Sequence, residues 1–136
     1  MKKLASLFFT ITIILFFTGN SIAQEKAKMT ITSVKQKGET VRFTITSSKI
    51  LIFGGNRYVL YIGDQEFTMS DVPDDENNRI ISFPLSMAEF RLLKEGAGIY
   101  LSYGRIDIEE HDMGAYARQN RKCWSLGKFS KTMLKK

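Results

Sequence analysis

The 136 residues carry 20 Lys/Arg against 14 Asp/Glu, a formal net charge of +6, with 43% hydrophobic residues, one Cys, one His and one Trp. A chain of this length holds one domain with a single core, and two domains are excluded. A lone cysteine also excludes an internal disulfide, so stability has to come from ordinary apolar packing.

Residues 1–23, MKKLASLFFTITIILFFTGNSIA, have the layout of a secretory signal peptide. Lys2 and Lys3 form the charged start, Leu7 to Phe17 the apolar run, and Gly19 and Asn20 break it. Ser21 and Ala23 supply the small residues that signal peptidase needs. The apolar run is about half of the roughly 20 residues a membrane-spanning helix requires, so no transmembrane helix is expected to be retained. With no cysteine beside the cut, lipidation has nothing to acylate. The leader resembles bacterial export signals, which implies a periplasmic or extracellular address. Cleavage after Ala23 leaves 113 residues, 24–136, as a single β-rich domain. Without Lys2 and Lys3 that domain has 18 basic and 14 acidic residues, and 7 of the basic ones lie between Arg118 and Lys136. The bulk is slightly acidic and the C-terminus is a basic tail from about Lys128.

After a polar, frayed start at 24–28, MTITSV from Met29 reads as a strand. So does ETVRFTIT, where Val41, Phe43 and Ile45 alternate with Arg42, Thr44 and Thr46. KILIF and RYVLYI are separated by Gly54-Gly55-Asn56, and Gly63-Asp64 follows, predicting two consecutive hairpins. Residues 57–62 are apolar on both parities, which places that strand at the centre of a sheet. SDVPDDENN reads as an exposed loop. RIISFPL is a strand whose Pro84 belongs on a sheet edge or at a strand end.

Ser86-Met-Ala-Glu89 is a capping box opening a helix over 87–95, with Met87, Phe90 and Leu93 inward and closure at Gly96. In GIYLSYGRIDI, Ile99, Leu101 and Tyr103 share one parity and Ile106 and Ile108 the other. A β-bulge at Gly104 would bring all five to one face. The segment HDMGAYARQNRK reads either as a second short helix near 113–122 or as an irregular crossing, and CWSLGKF is the last strand. The expected fold is therefore mainly β: a small antiparallel sandwich or partly open barrel of about seven strands with one capped helix. The helical link between two late strands, with a Tyr on the next strand, loosely resembles an immunoglobulin-type sandwich without its paired cysteines.

The candidate sites are each weighed against a plain structural role. Asp107, Glu109, Glu110, His111 and Asp112 offer metal-ligand and acid/base chemistry, but their order fits no known spacing and an acidic strand end is ordinarily a solvated turn. Asp71, Asp74, Asp75, Glu76, Asn77 and Asn78 offer oxygen ligands for calcium without the glycine or the one-three-five spacing of a calcium loop. Neither a Gly-x-Ser-x-Gly elbow nor a phosphate loop is present, so no cofactor is implied and no enzyme is expected. Tyr61 and Tyr100, opposite in parity to their core-like neighbours, form with Trp124 a candidate ligand-binding set. Trp124 and Leu126 themselves alternate toward the core. Cys123 then alternates toward the surface beside Lys122, a candidate reactive thiol. Lys128, Lys131, Lys135 and Lys136 are candidates for contact with an anionic surface, and nucleic acid ranks below the cell envelope for an exported chain.

The leading expectation is an exported, non-catalytic binding module for a protein, peptide or glycan. One alternative is an envelope-associated structural protein held at anionic surfaces by its C-terminus, so that truncation after Gly127 abolishes the association and leaves the fold. The other is a small metal-dependent hydrolase using the 107–112 cluster.

Overall fold

A computed structural model describes residues 26–51, 57–70 and 78–134. The strands among them are β1 (Met29–Lys37), β2 (Thr40–Ser47), β3 (Tyr58–Ile62), β4 (Gln65–Thr68), β5 (Ile80–Ser86), β6 (Gly98–Tyr103) and β7 (Cys123–Lys128). They form two antiparallel sheets of order β1-β2-β5 and β4-β3-β6-β7, which pack as a sandwich. Among the described residues no helix is long and apolar enough to cross a membrane. The leader, the Gly54-Gly55-Asn56 turn and residues 71–77 of the acidic loop lie outside the described residues.

The period of two in β2 builds the core. Val41, Phe43 and Ile45 are fully buried, and across β5 they pair with Leu85, Phe83 and Ile81. The same cluster takes in Leu60, Ile62, Ile99 and Leu101 of the second sheet. Both open sides of the sandwich are closed by cross-sheet bonds. Beyond β4 the Ser70 N–H donates to the Ser82 carbonyl (2.9 Å), and on the other side the Trp124 indole N–H donates to the Ala27 carbonyl (2.8 Å). Pro84 is exposed on β5, an edge strand, where its missing donor costs no ladder bond.

Helix α1 (Met87–Leu92) starts as the capping box predicts. The Glu89 N–H donates to Ser86 Oγ (3.0 Å), and the Ser86 N–H donates to Glu89 Oε1 (2.9 Å). It ends before 95: Leu93 is an extended cap, and its side chain still enters the core.

β3 is buried on both faces because the second sheet carries a further layer on its outside. Helix α2 (Met113–Gln119) and the segment before it lay Ala117 and Ile106 against Val59, Tyr61 and Cys123. This overturns the bulge at Gly104. The strand stops at Tyr103, and Gly104 takes φ 97°, a left-handed turn that suits glycine. Ile99, Leu101 and Tyr103 therefore pack inside the sandwich, whereas Ile106 and Ile108 join the outer cluster. The bulges sit elsewhere. One is at Thr32, the extra residue between the pairs Ile31–Ile45 and Ser33–Thr44. The other is in β7, where Gly127 at φ 97° gives two residues opposite one between the pairs Tyr100–Ser125 and Gly98–Lys128.

The strand order and the helical link between β5 and β6 agree with the loose immunoglobulin-type likeness as architecture only. Tyr100 lies back over Gly98, where a Cβ would stand 2.8 Å from the ring, and its hydroxyl lies near Gly114.

Candidate functional site

One end of the sandwich gathers aromatic side chains from three strand termini. Tyr58 opens β3 and pairs directly with Tyr103, which closes β6; their rings lie 5.0 Å apart at 47°. Trp124, near the start of β7, pairs with Leu101 and therefore shares the inward face, its ring 6.3 Å from Tyr58. Met29, Leu51 and exposed Ile50 complete the apolar walls of a cavity of about 500 Å³. Its rim carries Lys49, Arg121 and Lys122, with no acidic residue among its described lining.

The rings are held, not loose. Lys122 Nζ sits over the Tyr103 ring (5.5 Å) and Lys26 Nζ over the Trp124 ring (5.4 Å), the geometry of cation–π attraction. Lys26 is also not part of a frayed start. Its ammonium donates to the carbonyl oxygens of Ala117 (2.9 Å), Asn120 (3.1 Å) and Cys123. The first two close the C-terminal turn of α2, where a cation is favoured.

Tyr61, Tyr100 and Trp124 do not share an exposed patch. Trp124 lines the mouth, while Tyr61 and Tyr100 lie on the other face of the same sheet under α2, Tyr61 fully buried and Tyr100 half-buried. The parity argument had their face right and its exposure wrong, because the covering helix comes from more than ten residues further along the chain.

Cys123 is buried, not superficial, since α2 covers it too. Burial pushes its thiol above the ordinary 9.0, and the nearby Lys26 charge offsets part of the rise. The Tyr61 phenol is likewise raised from 10.0, first by burial, with its bond to Ile106 acting the other way. Burial pushes Lys26 below 10.5. A raised folded-state value means that the Cys123 contribution is fully present below pH 9.0 and is lost as pH rises through the folded value. Lys26 works in the opposite sense, so the informative quantity is a difference. The stability margin of the native chain over Cys123→Ala should shrink between about pH 8 and about pH 10 in urea titrations. A margin that is constant or grows would contradict the buried thiol.

Two carboxylates of the 107–112 segment make local bonds, and Asp107 and Glu109 also line a cavity of about 460 Å³ with Glu66 and Arg105. Asp107 Oδ1 accepts from the Glu109 N–H (3.0 Å), and Asp112 Oδ1 caps α2 by accepting from the N–H groups of Gly114 and Ala115. The His111 ring packs against Tyr116 at 5.0 Å. Among the described residues no three His, Cys, Asp or Glu side chains come together as a metal set. Of the possible calcium loop, only Asn78 lies within the described residues.

The basic tail does not begin at Lys128. Lys128 ends β7, Phe129 is buried, and residues 131–133 form a 3₁₀ turn whose first N–H donates to Glu95 Oε1 (2.7 Å). Lys128 and Lys131 are exposed, and Lys135 and Lys136 lie outside the described residues.

Tyr58, Tyr103, Lys49, Arg121 and Lys122 were not picked out by sequence reasoning. A usable signal was there: aromatics at strand ends beside cations, as in Arg57-Tyr58 and Arg121-Lys122-Cys123-Trp124. Comparison of the chain with protein-family models, curated proteins and solved structures finds no match to any of them.

Proposed function

We propose that the chain is an exported, non-catalytic binding module that holds its ligand in the aromatic mouth of the sandwich. The observation that carries this reading is the convergence of Tyr58, Tyr103 and Trp124 on a cavity of about 500 Å³ ringed by Lys49, Arg121 and Lys122. Its size lies within the roughly 300–1,000 Å³ of small-molecule sites, and apolar walls with a few placed charges are their usual make-up. Export, to the periplasm or the medium, rests on the layout of residues 1–23.

Trp124 is the chain's sole tryptophan, so its emission reports on this mouth alone. A panel of peptides, glycans and amphiphiles titrated into the purified protein should contain a member that shifts this emission saturably. Ile50→Ser, at a 65% exposed rim position, should weaken that ligand without changing the melting temperature. A panel without effect on Trp124, or a ligand indifferent to Ile50→Ser, would remove the mouth as the site. The metal-dependent hydrolase reading rests on the 107–112 cluster and the separate cavity of about 460 Å³ that Asp107 and Glu109 line with Glu66 and Arg105.

A further inference from the structure

We infer that residues 104–122 form a flap that opens as one unit while the sandwich stays folded, and that Lys26 is the latch that holds it shut. This goes beyond the reading of the mouth and does not depend on it.

The chain path is that of a flap. Residues 104–122 leave the second sheet at the end of β6 and return at the start of β7, where the Tyr103 N–H donates to the Lys122 carbonyl (2.8 Å) and closes the base. The excursion begins and ends at one rung, with Gly104 at positive φ as its first residue. Lifting it breaks no pairing between β6 and β7.

Its packing is thin. Within 104–122 only Ile106 and Ala117 are buried, and they join Val59, Tyr61 and Cys123 in a cluster separate from the one that fills the sandwich. Few buried apolar contacts mark a segment of low local stability. The ion pair between Arg105 and Glu66 (3.1 Å) is made by an exposed arginine, where such pairs contribute little.

Polar side chains from outside the flap hold it at both ends. Tyr61 binds its first part through Ile106, and Lys26 binds its last part. The Lys122 carbonyl faces β6, so the Cys123 carbonyl, next along an extended strand, faces the open edge of the sheet. The Lys26 ammonium donates to that oxygen as well as to Ala117 and Asn120 at the end of α2. One cation thus ties the flap to the sheet edge. The latch itself is fixed to the sandwich: the Ala27 carbonyl accepts from the Trp124 indole, the Lys28 N–H donates to Ser48 Oγ (2.8 Å), and the Ser48 N–H donates to the Lys28 carbonyl (2.9 Å).

The sole cysteine reads the opening, since Cys123 is 0% exposed beneath the flap. In the native chain N-ethylmaleimide should label Cys123 at a rate nearly independent of urea well below the unfolding midpoint, because a lifting flap exposes little surface. Lys26→Met keeps the side-chain stem and removes the ammonium. It should label about tenfold faster while the amides of β2 keep their exchange protection. A purely electrostatic action of Lys26 on the thiol predicts the opposite, because its charge favours the thiolate and its removal would slow labelling. Native-chain labelling that follows the urea slope of global unfolding overturns the flap, and this measurement stands even if Lys26→Met does not fold. Labelling of Lys26→Met at the native rate, or an equal loss of protection in β2, overturns the latch.

Discussion

Phe129→Ala should cost about 3–5 kcal/mol in urea unfolding, and truncation after Gly127 should leave a chain that does not fold. Phe129 is 1% exposed, and its ring meets Phe90 of α1 edge-on at 5.5 Å. The alanine variant therefore loses the transfer energy of a whole ring and leaves a cavity between α1 and the end of β7. Truncation removes more. The Phe129 N–H donates to the Ala97 carbonyl (2.7 Å), the Gly96 N–H donates to the Phe129 carbonyl (2.8 Å), and Met133 and Leu134 pack on the same core. A small domain is stable by about 5–15 kcal/mol, so losses of this size consume most or all of it. Lys131→Ala is the control, because the bond to Glu95 is made by the Lys131 backbone and the side chain is exposed; it should stay within about 0.5 kcal/mol. A Gly127-truncated chain with the native urea midpoint would return these residues to the status of a solubilising tail.

What the sequence made legible is the part of the fold set by local periodicity. β2, with buried Val41, Phe43 and Ile45, and the Ser86–Glu89 capping box are specified by neighbours two to four residues away, and both form as read. The helix at 113–119 and the central place of β3 follow from the same short-range signals, but the first of the two expected hairpins does not form: residues 48–51 are not strand, and both edges of β3 are taken by β4 and β6. The failures are long-range. Lys-rich composition hides that Phe129, Met133 and Leu134 are apolar anchors pinned to residues near 96, and the charge count says nothing of a partner some thirty residues away. Gly104 signalled a break correctly, but composition cannot tell a bulge within a strand from its end; where Ile106 goes depends on an outer cluster assembled with α2.

The site was hidden for a related reason. Period-two reasoning assigns a side chain to one face of a sheet, and in a two-layer protein the outward face is wet. Here the second sheet is covered on both sides, so Tyr61 and Cys123 fell on the predicted face and were nonetheless buried. The aromatics of the mouth are found instead at the strand ends, where Tyr103 and Trp124 are partly buried and Tyr58 is buried behind them.

That buried outer face supplies the second large effect, at Tyr61. Its hydroxyl accepts from the Ile106 N–H (2.6 Å) and donates to the Ile106 carbonyl (3.2 Å), so one phenol satisfies both backbone groups of a residue that belongs to no strand or helix. This pair moors the segment between β6 and α2 to the sheet. Tyr61→Phe keeps the ring and orphans both Ile106 groups, at about 1–3 kcal/mol. Tyr61→Ala adds the missing ring in a fully buried position and should reach about 3–5 kcal/mol. The gap between the two variants separates packing from polar satisfaction, and amide exchange locates the damage. In Tyr61→Phe the Ile106 amide should exchange much faster while the amides of β2 keep their protection, because the sandwich core does not depend on this bond. If Tyr61→Phe is neutral and Ile106 exchange is unchanged, the segment is held by the Ile106 side chain alone, and α2 covers the sheet through apolar contact without the phenol as its anchor.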